Sequence, residues 1–292
     1  MAPKAEDPKK AAPAPAAESK AIVPSNNQIT IPSFIEKGSS NGTESISMKD
    51  IILPRLKIVH NLSEVHKNAD YALPEGHLYN NISIQDYGTE VEFIPILASN
   101  GYEMFEGKGK DQKLIARKFL GNVLSEMNPE LLTKETKVWK EITQINQKTK
   151  KEETIKVPPL ADLTYVFIGL VNRTDLVLVK MSVSLVNTAM QLNTLMKIHD
   201  VPAYSQKYTF KTFFQTGGKS GDYYCMMVRP AGFLGKDKVG KDLEGDVLKE
   251  EKDLYFYLAK KYEELAAAKL QEAEDAVPEK GASAPEGTAD TI

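Results

Sequence analysis

Residues 204–233, YSQKYTFKTFFQTGGKSGDYYCMMVRPAGF, are the stretch that decides the fold. Two aromatic-rich runs flank the Gly-rich segment 217–221, a pattern that predicts a β-hairpin with its turn at the glycines. Aromatics and cations alternate along both runs, and the stretch contains no glutamate. This composition favours a surface that stacks bases and neutralises phosphates. An ordinary antiparallel sheet core is the alternative interpretation.

Three more strands and a helix are predicted before this hairpin. Apolar residues in β-rich runs indicate the strands, and apolar residues at helical spacing indicate the helix. The predicted elements are strands at 90–99, 162–171 and 175–181, a helix at 184–198, and hairpin strands at 205–216 and 222–230. This order matches that of an OB fold, in which a helix lies between the third and fourth strands. We therefore predict a mainly-β (α+β) domain built as an OB-like five-stranded barrel with one internal helix.

The rest of the chain is divided by composition. The N-terminal tail and the C-terminal tail contain too little apolar surface to offset the entropy lost on ordering, so both are predicted to be disordered. The predicted organisation is a disordered tail at 1–47, an OB-like domain at 48–240 with a long insertion at 101–156 between its first two strands, a helix at 250–274 and an acidic disordered tail at 275–292.

Charge is distributed unevenly along the chain, although the formal net charge is only −3. Residues 161–239 carry nine Lys and Arg against five Asp, whereas residues 262–292 carry eight acids against two Lys. A basic body followed by an acidic end is typical of proteins with an interaction tail. With Cys225 as the single cysteine, a disulfide framework is excluded and a reducing cytoplasm is expected. No apolar run approaches the roughly 18 residues of a membrane span.

The candidate nucleic-acid contacts follow from the side-chain alternation of strands. The more aromatic face of the first hairpin strand, with Tyr204, Tyr208, Phe210 and Phe214, is expected to point into the barrel. The outer face then presents cations and a smaller set of rings, and the insertion adds further cations. The candidate contact residues are Lys207, Lys211, Phe213, Lys219, Tyr223, Arg229, Lys113 and Arg117.

Residue patterns for catalysis or metal binding are weak. The four histidines have neither HxH nor HExxH spacing, and the segment 217–220 lacks the first glycine and the strand-to-helix context of a phosphate-binding loop. We therefore expect a protein that is not an enzyme and that uses no cofactor and no metal.

Five segments together resemble replication and recombination accessory proteins of tailed bacteriophages, some of which bind single-stranded DNA. They are IILPRLKIVHNLSEV at 51–65, GTEVEFIPI at 88–96, LVLVKMSVSLVNTAMQLNTLM at 176–196, YSQKYTFKTFFQT at 204–216 and GDYYCMMVRPAGF at 221–233. The resemblance implies action in the cytoplasm of a bacterial host. It also implies an acidic C-terminal extension that recruits replication or recombination proteins.

The leading functional hypothesis is a non-catalytic single-stranded DNA-binding protein that acts in replication or recombination, with RNA as an alternative ligand. Stacking on aromatic rings and salt-dependent phosphate contacts would supply the binding energy. Two other hypotheses remain open: a virion structural or scaffolding protein, and a replication accessory that mainly recruits protein partners.

Overall fold

The computed structural model describes residues 52–68, 72–107, 112–121, 123–145, 152–157, 159–218, 221–237 and 239–268. The predicted disordered tails at 1–47 and 275–292 lie outside these residues, as does Lys219. The strands are β1 (Leu56–Ile58), β2 (Leu78–Asn80), β3 (Asp86–Gly88), β4 (Glu90–Glu106), β5 (Lys113–Phe119), β6 (Lys140–Ile145), β7 (Glu152–Val157), β8 (Ala161–Val171), β9 (Asp175–Ser182), β10 (Gln206–Gly218) and β11 (Gly221–Phe233). The helices are α1 (Glu64–Lys67), α2 (Val186–Lys197) and α3 (Gly245–Ala267).

The described strands form three antiparallel sheets, so the predicted mainly-β class is confirmed. The largest has the order β11-β10-β4-β8-β9, with β5 also paired to β4, and the others are β1-β2-β3 and the hairpin β6-β7. Each predicted strand and both predicted helices have a counterpart. The predicted hairpin is also present, with Phe210 opposite Val228 and Phe213 opposite Cys225.

The first predicted strand is longer than its sequence pattern indicated. β4 runs for 17 residues to Glu106, well into the predicted insertion, and its second half pairs with β5 on one side and β8 on the other. The register shifts between Pro95 and Leu97, where proline cannot donate a ladder hydrogen bond. The first part of the insertion is therefore sheet, and the later part contains the hairpin β6-β7.

The main sheet does not close into the predicted five-stranded barrel, because β9 and β11 do not pair with each other in the described part of the chain. Other elements take up both strand edges. The Leu178 N–H of β9 donates to the Pro54 carbonyl at 2.7 Å, next to a parallel bridge between Leu178 and Arg55. At the other edge, the Thr188 hydroxyl of α2 donates to the Met226 carbonyl of β11 at 2.7 Å.

A hydrophobic core lies on each face of the main sheet. The inner core includes Phe93, Phe167 and Phe210, and α2 covers it with Ala189 and Leu192; all five are fully buried. This is the apolar stripe that predicted the helix from sequence. The inner core therefore has the composition expected of a barrel interior, although the barrel is open.

The outer core lies under α3. Leu258 and Leu265 of this helix are both 0% exposed and belong to the same cluster as Ile94, Ile168 and Leu170 of the sheet. Successive strand residues point to opposite faces, so β8 fills both cores with one nearly continuous apolar run. The helix is thus part of the folded domain. None of the described helices is both long and apolar enough to cross a membrane.

Candidate nucleic-acid interface

The distal part of the hairpin β10-β11 extends past the rest of the sheet. β10 pairs with β4 only over Tyr208–Lys211 opposite Glu90–Phe93, and Thr212 makes one further backbone bond to Thr89. Beyond that point the described residues of β10 pair with β11 alone. We call residues 213–218 and 221–225 the arm. One half of the hairpin β10-β11 therefore belongs to the main sheet, and the other half is the arm.

Four aromatic residues lie on the arm: Phe213, Phe214, Tyr223 and Tyr224. Phe214 is 52% exposed, and its ring centroid lies 5.1 Å from that of Tyr224 directly across the ladder. Phe213 and Tyr223 lie on the opposite face and are partly exposed. Each face of the arm therefore presents aromatic surface that a base can stack on.

The sequence-based expectation for Phe214 is wrong. Its parity placed it in the interior with Tyr208 and Phe210, which are indeed 1% and 0% exposed. β4 lies beside β10 only as far as Lys211, opposite Glu90, so Phe214 has no flanking side chain of the kind that Phe93 of β4 provides to Phe210. Strand alternation identifies the face of a residue, but the length of the neighbouring strand decides whether that face is covered.

A tight turn supports the base of the arm. Gly76 has φ +80°, and a Cβ atom there would lie 2.4 Å from the ring of Tyr224. The Thr212 hydroxyl donates to the Gly76 carbonyl at 2.6 Å. The turn before β2 therefore holds the even-numbered face of the arm in place, and this role of Gly76 has no signal in the local sequence.

The predicted cations of the hairpin differ in accessibility. Arg229 is exposed, and Lys211 is exposed with its ammonium 3.1 Å from the Glu90 carboxylate. Lys207 is only 6% exposed, and its ammonium donates to the Lys236 carbonyl at 3.2 Å, so its predicted position on the outer surface is wrong. Lys207 pairs with Gly232 next to a register shift in the ladder. The chain after β11 then folds back over the Lys207 side chain. The tip residue Lys219 lies outside the described residues.

The two candidates from the insertion also differ. Lys113 is exposed at the start of β5. Arg117 is 5% exposed, and its Nε donates to a Glu103 carboxylate oxygen at 2.9 Å, so it is not available as a surface contact. The sequence pattern showed cations in the insertion but could not show that a fully buried glutamate lies opposite Arg117 on β4.

Glu103 holds a second cation besides Arg117. The Lys180 ammonium of β9 lies 2.6 Å from its carboxylate, and the Thr164 hydroxyl of β8 donates to it at 3.4 Å. Burial lowers the pKa of Lys180, the Glu103 carboxylate opposes that shift, and the nearby Arg55 and Arg117 add to it. This cluster joins β4, β5, β8 and β9 and acts in stability. In the described residues, no group of three or more His, Cys, Asp or Glu could hold a metal ion.

Residues 24–271 match the family described as Pam3 phage gp34-like protein. The chain belongs to this phage family. The match includes every residue that the structure describes, and the bacteriophage origin implied by the sequence resemblance is confirmed. No curated protein and no solved structure matches the chain.

Proposed function

We propose that this protein is a non-catalytic single-stranded DNA-binding protein of a bacteriophage, acting in replication or recombination in the host cytoplasm. The observation that carries the proposal is the arm, with Phe214 at 52% exposure and three more aromatic side chains around it. Every base offers a π face, so such a surface binds single strands without strong sequence preference. The exposed Lys211 and Arg229 add cations near the base of the arm.

The strand order gives a second line of support. In an OB fold the first three strands form a meander, the first also neighbours the fourth, and the last two form a hairpin. β4, β8, β9, β10 and β11 follow this order, with α2 between the third and fourth strands. We propose that the domain is an OB-like fold opened between its third and fifth strands. OB folds bind oligonucleotides with the loops between strands 1–2 and 4–5 among their contacts, and these loops correspond here to the predicted insertion and the tip of the arm.

Titration of a fluorescent oligonucleotide at several salt concentrations tests the proposal. We expect binding that weakens with salt, because phosphate neutralisation releases counterions. A matched RNA and a duplex of the same length distinguish the ligand classes. Failure to bind any single strand at low salt would reject the proposal.

Charge removal at the base of the arm tests the phosphate contacts. In a K211A/R229A variant we expect the slope of log K against log salt to fall by about 1.4, the value for two contacts with a single strand. K260A, which removes an exposed lysine from α3, is the control and should leave the slope unchanged. An unchanged slope in the double variant would show that these cations do not contact the strand.

The acidic C-terminal tail is the proposed contact for replication or recombination proteins. Since residues 275–292 carry four acids against a single Lys, the tail would also compete with nucleic acid for the basic surface. Removal of residues 275–292 should therefore tighten oligonucleotide binding at low salt. If the affinity for the oligonucleotide is unchanged, the tail does not compete with nucleic acid.

A virion structural or scaffolding role is the second candidate. Trp139 and Leu160 are each 63% exposed, and Val138 is 44% exposed, at the base of the hairpin β6-β7. Exposed apolar side chains mark a protein interface where they form one contiguous patch. A chain that fails to bind oligonucleotides and occurs at fixed copy number in purified virions would favour this candidate.

A further inference from the structure

A cleft of about 590 Å³ lies between the main sheet and the C-terminal half of α2, apart from the arm. This volume is within the range of small-molecule sites in proteins. Its lining residues are Ala98, Ser99 and Asn100 of β4, Tyr165 of β8, Asn193, Thr194, Met196 and Lys197 of α2, and Val201 and Ala203. The cleft combines an apolar floor, with Met196 only 7% exposed, and a polar wall.

Two side-chain amides and a phenol in this wall have unused hydrogen-bonding capacity. Ser99 donates to the Leu120 carbonyl and Thr194 to the Met190 carbonyl, so their hydroxyls are satisfied. The side chains of Asn100, Asn193 and Tyr165 have no hydrogen-bond partner within the described part of the chain, although all three are partly buried. Their donors and acceptors are therefore available to a ligand that enters the cleft.

The arrangement of these groups limits the class of ligand. Asn100 and Tyr165 are direct cross-strand partners, so the amide and the ring lie side by side on the same face of the sheet. Asn193 faces the cleft from α2. A phenol ring next to two amides provides a stacking surface and paired donors and acceptors, the combination that recognises the edge and face of a nucleobase. Lys197, exposed in the last turn of α2, also lines the cleft and supplies a cation for a phosphate.

We infer that this cleft binds one unpaired nucleobase, stacked on Tyr165 and hydrogen-bonded by Asn100 and Asn193. The base comes either from a bound single strand or from a free nucleotide. The first source rests on the proposed function, whereas the second does not. The protein would then hold nucleic acid at two separate places, the arm and the cleft.

The experiment measures binding of two probes to the full chain: each of the four deoxynucleoside monophosphates by calorimetry, and a labelled oligonucleotide by anisotropy. The test variants are N193A and N100A. The control is N187A, which removes an exposed asparagine from the same helix outside the cleft. Asn to Ala favours the helix, so N193A should fold, which far-UV circular dichroism checks.

We expect N193A and N100A to weaken binding of at least one probe by about fivefold or more, the lower end for an amide that pairs with a base edge. N187A should leave it unchanged. Loss of monophosphate binding identifies a free nucleotide as the source, and loss confined to the oligonucleotide identifies the strand. If neither test variant differs from N187A, or if the wild-type chain binds neither probe, the inference is overturned.

The two proposals can fail separately in this experiment. An oligonucleotide that binds the wild-type chain and both cleft variants equally but binds F214A weakly, together with monophosphate binding that is absent or equal in all cleft variants, would retain the proposed function and reject the cleft. A monophosphate that requires Asn193, without any oligonucleotide binding, would retain the cleft and reject the proposed function.

Discussion

Glu103 is a fully buried carboxylate, and its ion pair with Arg117 explains why that candidate residue is not a surface contact. Arg117 and Lys180 both bond to it, and Thr164 donates a further hydrogen bond. A buried ion pair adds little compared with a well-packed apolar core, but removal of one partner leaves an uncompensated charge. The cluster therefore makes stability sensitive to a single side chain.

In E103Q we expect the free energy of unfolding to fall by about 3 kcal/mol, because two cations lose their anion in a buried site. The measurement is urea unfolding. E90Q is the control in the same strand: Glu90 pairs with Lys211 at 3.1 Å, and both side chains are about half exposed. It should cost less than about 1 kcal/mol. Equal costs for the two variants would contradict the role of Glu103.

Asp162 lies directly opposite Glu103 across β4 and β8. Partial burial and the Glu103 charge raise the pKa of Asp162 above 3.8. In the pH range between 3.8 and the pKa of Asp162 in the folded chain, the folded chain binds more protons than the unfolded chain. Asp162 therefore lowers the free energy of unfolding as the pH rises through this range. The cost is complete above the window.

D162N should therefore be more stable than the wild type at pH 7, by on the order of 0.5 kcal/mol because the side chain is partly solvated. The advantage should shrink as the pH falls through the window and be absent below pH 3.8. Unfolding free energies measured from pH 7 downward check the sign. A variant that is less stable than the wild type at pH 7 would show that Asp162 is stabilised by the nearby cations.

At the scale of elements, the arm depends on the turn at Gly76. Gly76 and Gly88 both have positive φ, +80° and +78°, but only Gly76 faces the Tyr224 ring. A Cβ atom at Gly88 would meet no atom within 4 Å. Substitutions at the two glycines therefore distinguish the cost of a left-handed backbone from the cost of a steric clash.

G76A should lose more unfolding free energy than G88A, by about 1 kcal/mol or more, since overpacking adds to the shared cost of a left-handed backbone. Urea unfolding of the two variants gives the difference. If G88A costs as much as G76A, the packing of Tyr224 on the turn does not hold the arm.

The exposed ring of Phe214 gives the element its proposed function. F214A should weaken oligonucleotide binding by about 1–3 kcal/mol, the loss for one stacked base. F256A is the matched control, because Phe256 is 67% exposed on the solvent side of α3. Fluorescence anisotropy measures both. Equal affinities for F214A and F256A would remove Phe214 from the interface.

At the scale of the whole molecule, α3 completes the fold by covering the outer face of the main sheet. Besides Leu258 and Leu265, its Glu251 carboxylate accepts a hydrogen bond from the Arg173 guanidinium at 2.7 Å, at the turn between β8 and β9. Tyr204, just before β10, has its ring centroid 5.4 Å from that of Tyr255. The helix therefore contacts both halves of the sheet.

L258A should lower the free energy of unfolding by about 3 kcal/mol, because it leaves a cavity between α3 and the sheet. L62A removes a leucine that is 77% exposed and should cost less than about 0.5 kcal/mol. Unfolding is followed by far-UV circular dichroism, which reports the helices and the sheets together. Two separated transitions would show that α3 unfolds independently of the sheet.

Local patterns predicted most of the elements correctly. The β-rich runs of β8 and β9 and the apolar stripe of α2 are properties of neighbouring residues, and their predicted bounds agree with the structure within about two residues. β4 was predicted too short, because its second half contains polar residues that contact one another across strands. Glu103 is the clearest example, since its partners lie on β5, β8 and β9.

The sequence by itself determined a mainly-β chain, the order of its principal strands and helices, and a hairpin rich in aromatics and cations. Tertiary structure decided which of those side chains reach solvent. Alternation assigns Phe214 and Lys207 to faces, but exposure depends on where β4 begins and on how the chain folds back after β11. It also decided that the sheet stays open, because Pro54, just before β1, bonds to the edge of β9 and Thr188 of α2 bonds to the edge of β11. These contacts join residues distant in sequence, and no local pattern records them.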